Sequence, residues 1–350
     1  MEILVYEHIT SGVLCESPLP ASLMKEGDLM LQAILKDLLE VREIKITILR
    51  DFRLPIPSYI HYYHTIYTLS QFHQTWQYCL DKVDGVLPIA PESGNTLTKI
   101  QEQIIKSGKI LLGCHPQATQ IASSKIETEK YLRTAGLNTP YTIRLSDWQL
   151  DRVSKEESLI CKPDDGAGCL YTFYFKTPLN LHLWKQKNTL DTKNYIVQPY
   201  IQGQAISLSL LYDGKKARLL SVNQQQMKIK KNRIYLNAIL VNAIMAENPI
   251  YHHLQEIANT IANTLPGLWG FIGVDLIIVQ NQSPIILEIN PRPTTSYVGL
   301  RIIYGISPMQ WLITLLYEGL DKVVLPSNLG FQLLISLKKK DSKIIYDGYS

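Results

Sequence analysis

The sequence is poor in cysteine, and the few it has are badly spaced for pairing. The five, Cys15, Cys79, Cys114, Cys161 and Cys169, are odd in number and form no C-x-x-C pair. Zinc sites and disulfide frameworks need closer or paired spacing, so neither is expected, and a reducing cytoplasmic setting is. Long apolar runs are missing too. No stretch of about 18 apolar residues occurs, which argues against a membrane-spanning helix. The opening MEILVYEHIT lacks the basic start and long apolar run of a secretory leader. An excess of one charge is also lacking: the net is +4, with charged residues at 19%. No basic stripe interleaved with aromatics is present, so no nucleic-acid partner is expected. The lysine runs at 228–231 and 338–340 are short and read as solvated faces or turns.

What is present is an ordinary globular chain. Its 350 residues, 46% of them hydrophobic, suffice for two or three packed subdomains. The first third alternates apolar strands (3–6, 44–49, 85–89, 109–112) with helices opening at Ser22 and spanning about 97–107, the signature of a small parallel α/β unit. Ser124-Lys-Ile-Glu127 has the spacing of a helix capping box, and Gly136 supplies the stop. Beyond Pro140 the pattern changes to strands at 159–162, 195–198, 206–212 and 217–222, with Asp213-Gly214 as a hairpin turn. Asn248-Pro249 opens another helix, 271–279 and 284–289 form a second hairpin, and a last helix covers about 308–318.

The second hairpin carries the strongest chemistry. A loop at 280–283 sets Asp275 opposite Glu288, with Cβ atoms about 4.5–5.5 Å apart. Two carboxylates so placed repel unless something positive lies between them. Asn290, two residues on, points to the same face. Two carboxylates and an amide oxygen suit Mg²⁺, or Mn²⁺ in its place, with phosphate or water completing the shell. The apolar flanks argue against a merely solvated hairpin face. Arg292 follows and can bind a transferring phosphoryl group, or simply form a salt bridge to one of those two carboxylates. The hydroxyls of Thr294, Thr295 and Ser296 come next and are candidates for a substrate carboxylate or phosphate; a plain polar loop has the same composition. Earlier, Lys162 ends an apolar strand and runs into Gly166-Ala-Gly168, where backbone N–H groups can close on phosphate oxygens. A plain turn would look the same, and no Gly-Lys-Ser/Thr follows, so this is not a P-loop. Gln198-Pro-Tyr-Ile201 ends another strand. The Pro199 carbonyl and the Ile201 N–H can meet an adenine edge, although an edge strand ending at a proline would look the same.

Taken in order, these pieces resemble the ATP-grasp superfamily: a capped helix carrying Lys125, a strand lysine before a glycine loop, a Gln-Pro-Tyr-Ile hinge, then Asp275 and Glu288-Ile-Asn-Pro-Arg292. The resemblance covers about residues 115–325. It implies an ATP-grasp fold, α/β (α+β) in class, with a small parallel α/β domain over 1–115, a glycine-loop subdomain over 116–197, a metal-binding subdomain over 198–325 and an extension over 326–350. It implies that Lys162 and Lys125 contact ATP phosphates, Gly166 and Gly168 close over them, and Gln198, Pro199 and Ile201 hold adenine. Asp275, Glu288 and Asn290 would bind two Mg²⁺ ions, and Arg292 would steady the phosphoryl group. One departure stands out: Ala205 occupies a place where the family often has an acidic ribose ligand, which leaves Gln202 or Gln204 for that contact.

The run Glu288-Ile-Asn-Pro-Arg-Pro-Thr-Thr-Ser-Tyr-Val-Gly299, Pro91-Glu92 and Leu219-Leu-Ser-Val-Asn-Gln224 look like the tyramine–glutamate ligase family of methanofuran biosynthesis. That likeness implies a carboxylate–amine ligase working through an acyl phosphate, with small-molecule acid and amine as partners. Glu92 and the 10–12 loop then become candidate substrate contacts, although Glu92 equally reads as a helix-start acid. Another ATP-grasp carboxylase or peptide-forming ligase, or a non-catalytic nucleotide-binding module, stays open, as does a homo-oligomer.

Overall fold

The computed structural model describes residues 1–166, 168–188, 192–337 and 344–345. The lysine run at 338–340, Ala167 of the glycine loop and much of the 326–350 extension lie outside the described residues.

The chain opens with β1 (Glu2–Glu7), α1 (Ala21–Leu38), β2 (Lys45–Asp51), β3 (Tyr62–Ile66), α2 (Leu69–Lys82), β4 (Gly85–Ile89), α3 (Thr96–Lys106) and β5 (Ile110–Leu111). These strands form a sheet in the order β3-β2-β1-β4-β5, parallel throughout. β1 and β4 are buried almost end to end, as parallel strands covered on both faces must be. The order reverses between β1 and β4, and the carboxyl ends of two such strands bound a crevice suited to ligands.

Two of these elements, β3 and α2, fall in residues 50–84, where the sequence reading placed nothing. The buried positions of α2 are Phe72, Trp76, Cys79 and Leu80, a helical spacing hidden among histidines, tyrosines and glutamines. Helix α1 begins at Ala21 behind Pro20 rather than at a Ser22 cap, and Ser22 Oγ turns instead to Glu26.

Next come α4 (Pro116–Ser123), α5 (Lys125–Thr134), β6 (Ile143–Arg144), β7 (Leu159–Pro163), β8 (Phe173–Phe175), α6 (Pro178–Lys187) and β9 (Tyr195–Pro199). The rest comprises β10 (Gln204–Asp213), β11 (Ala217–Lys230), β12 (Arg233–Ile244), α7 (Pro249–Thr264), β13 (Trp269–Ile278), β14 (Ile285–Asn290), α8 (Tyr297–Tyr304), α9 (Pro308–Glu318), β15 (Leu333–Ser336) and β16 (Ile344–Ile345). The strands from β6 onward join one 11-stranded sheet, ordered β14-β13-β10-β11-β12-β8-β7-β9-β6, with β15 added on β12 and β16 on β15. Half of the expected capping box is realised at α5. Ser124 Oγ accepts from the Glu127 N–H at 3.2 Å, whereas the Glu127 side chain pairs with Lys130.

β11 runs eight residues past the stretch expected from its apolar start; in the continuation, Gln224–Lys230, Gln225, Met227 and Ile229 alternate onto the cavity, and only two of its residues are apolar. Lys231 and Asn232 turn it into β12 with positive φ at both, the two-residue turn favoured in hairpins. Helix α8 was hidden for another reason: its preceding Ser296 makes no cap, its hydroxyl being engaged elsewhere.

One face of the large sheet packs on α7, with Leu254, Ile257, Ala258 and Ile261 at or below 4% exposure. A second apolar cluster is continuous from β1 and α1 through β10–β12 to α8 and α9. Asp37 pins this junction. Its carboxylate accepts from Tyr297 Oη at 2.6 Å and Arg301 Nη1 at 3.0 Å, and its carbonyl from Ser307 Oγ at 2.8 Å. Helix α1 is therefore fixed against the segment that follows the carboxylate hairpin. Among the described residues, no helix is long and apolar enough to cross a membrane.

Candidate active site

One cavity of about 490 Å³ lies between the two sheets. It takes in Lys125, Lys162, Gly166, Gly168, Gln198, Pro199, Ile201, Asp275, Glu288, Asn290, Arg292, Thr294, Thr295 and Ser296. Glu92 is outside its lining but touches Arg292. From the first domain, Glu7 at the end of β1 with Ile9 past it, and Ile89 at the end of β4 with Ala90 and Pro91 past it, add to the wall, at the point where the strand order reverses.

The hairpin β13–β14 pairs Asp275 directly with Glu288, and Gly273 with Asn290. A register shift after Asp275 leaves Leu287 as an extra residue, so Leu287 and Glu288, neighbours in sequence, both face the cavity. Asn290 Nδ2 donates to Asp275 Oδ2 at 3.3 Å and Gln225 Nε2 to Asp275 Oδ1 at 3.0 Å. Burial and the facing Glu288 push the Asp275 carboxyl well above the carboxylate range. Burial works to raise Glu288 as well, but Lys125 and Lys162 outweigh it and hold that carboxyl low. Among the described residues no group of three or more acids, histidines or cysteines gathers to hold a metal. The set is two carboxylates and one amide oxygen, with the proton-loving Asp275 standing where a cation would relieve the repulsion. That donor set fits Mg²⁺, whose other ligands come from phosphate and water.

Lys125 Nζ lies 3.3 Å from Glu288 Oε2 and donates to the carbonyls of Asp164 and Gly166 at 3.2 Å each. The glycine loop is tied to the start of α5 by Asp164, which accepts from Ser124 Oγ at 2.8 Å and the Ile126 N–H at 3.0 Å. Asp165 accepts from the Gly94 N–H at 2.8 Å, joining the loop to the first domain. The Lys162 ammonium makes no hydrogen bond or ion pair with a described residue. Burial pushes its ammonium below the usual value, aided by Lys125 and opposed by Glu288. A half-buried lysine with free donors is suited to an arriving phosphate.

At the hinge, Gln198 Nε2 donates to Thr142 Oγ1 at 2.9 Å, so its side chain is already engaged. A Cβ at Gly203 would stand 2.5 Å from the Ile278 carbonyl, which explains the glycine where the hinge meets β13. Ile160, Ile277 and Leu287 provide apolar surface for a flat ring, and Gln204, not Gln202, joins Ala205 in the lining.

Arg292 Nε is 2.9 Å from Glu92 Oε1, and its Nη2 is 3.3 Å from Oε2. The Glu92 side chain keeps only 5% exposure and that of Arg292 13%. Ser296 bonds to Ser209 and Thr294, each at 2.9 Å, and Ser209 in turn takes a bond from Asn223. Thr295 Oγ1 reaches Glu26 at 3.5 Å. These hydroxyls knit the loop to the sheet. The 10–12 loop is buried beside β2 and β3 and adds nothing to the cavity lining. Residues that sequence reasoning missed are Glu7, Glu26, Gln225, Leu287 and the apolar β11–β12 wall. Glu26 alone had a signal, a charged residue between the apolar positions Leu23 and Met30 of one helix face.

The ATP-grasp domain description matches residues 122–296, half of the chain, and the pre-ATP-grasp domain description matches residues 44–119. The chain belongs to the ATP-grasp family. It is similar to the tyramine–L-glutamate ligase of Methanocaldococcus jannaschii, 26% identical over 287 residues, 80% of each chain. The enzyme of the same description from Methanocaldococcus fervens is 27% identical over 289 residues, 80% of this chain and 84% of that one. The crystal structure of an ATP-grasp superfamily protein of Archaeoglobus fulgidus superposes with a TM-score of 0.70 at 22% identity, covering 99% of this chain and 97% of that one, so the fold is shared.

Proposed function

We propose that this protein is an ATP-dependent carboxylate–amine ligase that works through an acyl phosphate, joining glutamate to tyramine or a related amine, in the biosynthesis of a one-carbon carrier of the methanofuran type. The observation that carries the reading is the facing of Asp275 and Glu288 beside Asn290, with Lys125, Lys162 and Arg292 in the same cavity. A set retaining every charged member is expected of a working site rather than of a non-catalytic nucleotide binder.

In this reading adenine lies against the 198–201 hinge, and Lys125 and Lys162 hold the phosphates. Asp275, Glu288 and Asn290 would hold Mg²⁺, which supplies charge neutralisation on the phosphate oxygens. Arg292 turns its guanidinium to the transferring group and the acid's carboxylate, with Glu92 fixing its plane. The glycine loop, tied to α5 and to the first domain, keeps water from the acyl phosphate. The support for glutamate and tyramine is the likeness to the two Methanocaldococcus enzymes.

ADP release measured with glutamate and tyramine together, and with each alone, tests the assignment. Turnover only with both is expected. Equal ADP release with bicarbonate and no amine would instead make the protein a carboxylase.

A further inference from the structure

The phosphate-side residues leave open where the nucleophile binds, and helix α1 supplies a place. The inference rests on the ligase reading above. Leu23, Glu26 and Met30 are spaced three and four residues apart, share one helix face, and all line the cavity. Gly27 lets that face approach, since a Cβ there would stand 2.5 Å from Glu7 Oε1. Among the described residues, the Glu26 carboxylate takes hydrogen bonds only from hydroxyls, Ser22 at 3.3 Å and Thr295 at 3.5 Å. No lysine, arginine or histidine among the described residues forms an ion pair with it. Arg292, whose charge it feels, is paired with Glu92. Burial raises its carboxyl above the usual range, which makes its carboxylate a stronger base than an exposed one.

We propose that Glu26 receives the ammonium group of the amine substrate, with Leu23 and Met30 against its apolar body, and removes the proton that masks the nitrogen. R–NH₃⁺ gives one proton to Glu26. The freed lone pair then forms the C–N bond to the acyl carbon. The C–O bond to phosphorus-bearing oxygen breaks, its electron pair leaves with phosphate, and that phosphate takes the second nitrogen proton. The substrate class that follows is a primary amine with an apolar body. Bicarbonate, an anion, is repelled by the same carboxylate, and an amino acid nucleophile would bring a second charge against Leu23 and Met30.

The test separates the two half-reactions. Wild type and Glu26→Gln are assayed with ATP and glutamate, once with hydroxylamine, a small neutral nucleophile that traps the acyl phosphate as hydroxamate, and once with tyramine. In the variant, kcat/KM for tyramine should fall about 100-fold or more while hydroxamate formation stays within about threefold. The hydroxamate arm also reports that the variant is folded, and Glu26→Asp should recover part of the tyramine reaction. Leu23→Ala should raise the KM for tyramine but not for ethylamine. Tyramine turnover unchanged in Glu26→Gln overturns the proposal alone, as does an equal fall in both arms with Glu26→Asp behaving alike. A wild type that traps no hydroxamate overturns the acyl-phosphate reading, and this proposal with it.

Discussion

Two walls of the cavity each present a pair of acids, and they surround them differently: lysines hold one acid of the first pair low, and nothing positive pairs with either acid of the second among the described residues. On the β13–β14 wall, Asp275 and Glu288 face each other with Lys125 and Lys162 at hand, and the lysines hold Glu288 ionised. On the wall made by β1 and α1, Glu7 and Glu26 have no cation paired with them among the described residues. Burial pushes the Glu7 carboxyl up to about 7, against the pull of its bonds from Thr10 and Ile9, and raises Glu26 as well. The same residue type thus does two kinds of work. Where positive charge accompanies the acids, the wall is the one proposed to meet a metal-bound polyanion. Where apolar side chains accompany them, it is prepared to accept a proton or an ammonium group.

The largest effect expected from breaking this contrast lies on the charged wall. Glu288→Gln keeps the size and the strand pairing but removes a carboxylate proposed to bind the metal, which is also the partner of Lys125. Loss of charge stabilisation worth several kcal/mol predicts a fall in ADP release of roughly 1000-fold or more, with the circular dichroism spectrum unchanged. Full activity in that variant would end the metal assignment. Lys162→Met is next. Charge-assisted bonds to phosphate are worth about 1.5–3 kcal/mol, so kcat/KM for ATP should drop about 10- to 150-fold. An unchanged value would show that Lys125 alone meets the phosphates.

The charged wall was legible in the sequence and the other was not. Asp275, Glu288 and Asn290 sit on one short hairpin, where register follows from the loop, and the lysines belong to strands or caps with local signatures. Even there, the bulge at Leu287 was invisible, because nothing in the order of isoleucines and leucines marks which one is extra. Glu7 and Glu26 meet the site only through tertiary packing, by way of the Asp37 junction and the close approach at Gly27. The 62–82 segment failed to register because its few buried positions, Ile66, Phe72, Trp76, Cys79 and Leu80, are scattered among histidines, tyrosines and glutamines. Glu92 was half legible: its place near the site was expected, but its partner, 200 residues away in the chain, was not.

The smallest effect sharpens the comparison from the apolar wall. Glu7 is 4% exposed, and its carboxyl is raised by burial from 4.5 to about 7. An acid raised on folding adds stability fully below its unfolded value, and that stability is lost as pH climbs through the folded one. Between those limits the shift corresponds to about 3 kcal/mol. Glu7→Gln cannot ionise, yet its amide oxygen can still accept the Thr10 N–H that Glu7 now takes at 2.8 Å. The Tm of the variant relative to wild type should therefore rise on going from pH 5 to pH 8.5, by roughly 5 °C for a chain of this size. Thermal melts of both proteins across that range measure it. Parallel curves would mean that Glu7 titrates like an exposed acid, and the β1 wall would then have no preference for the protonated form at that position.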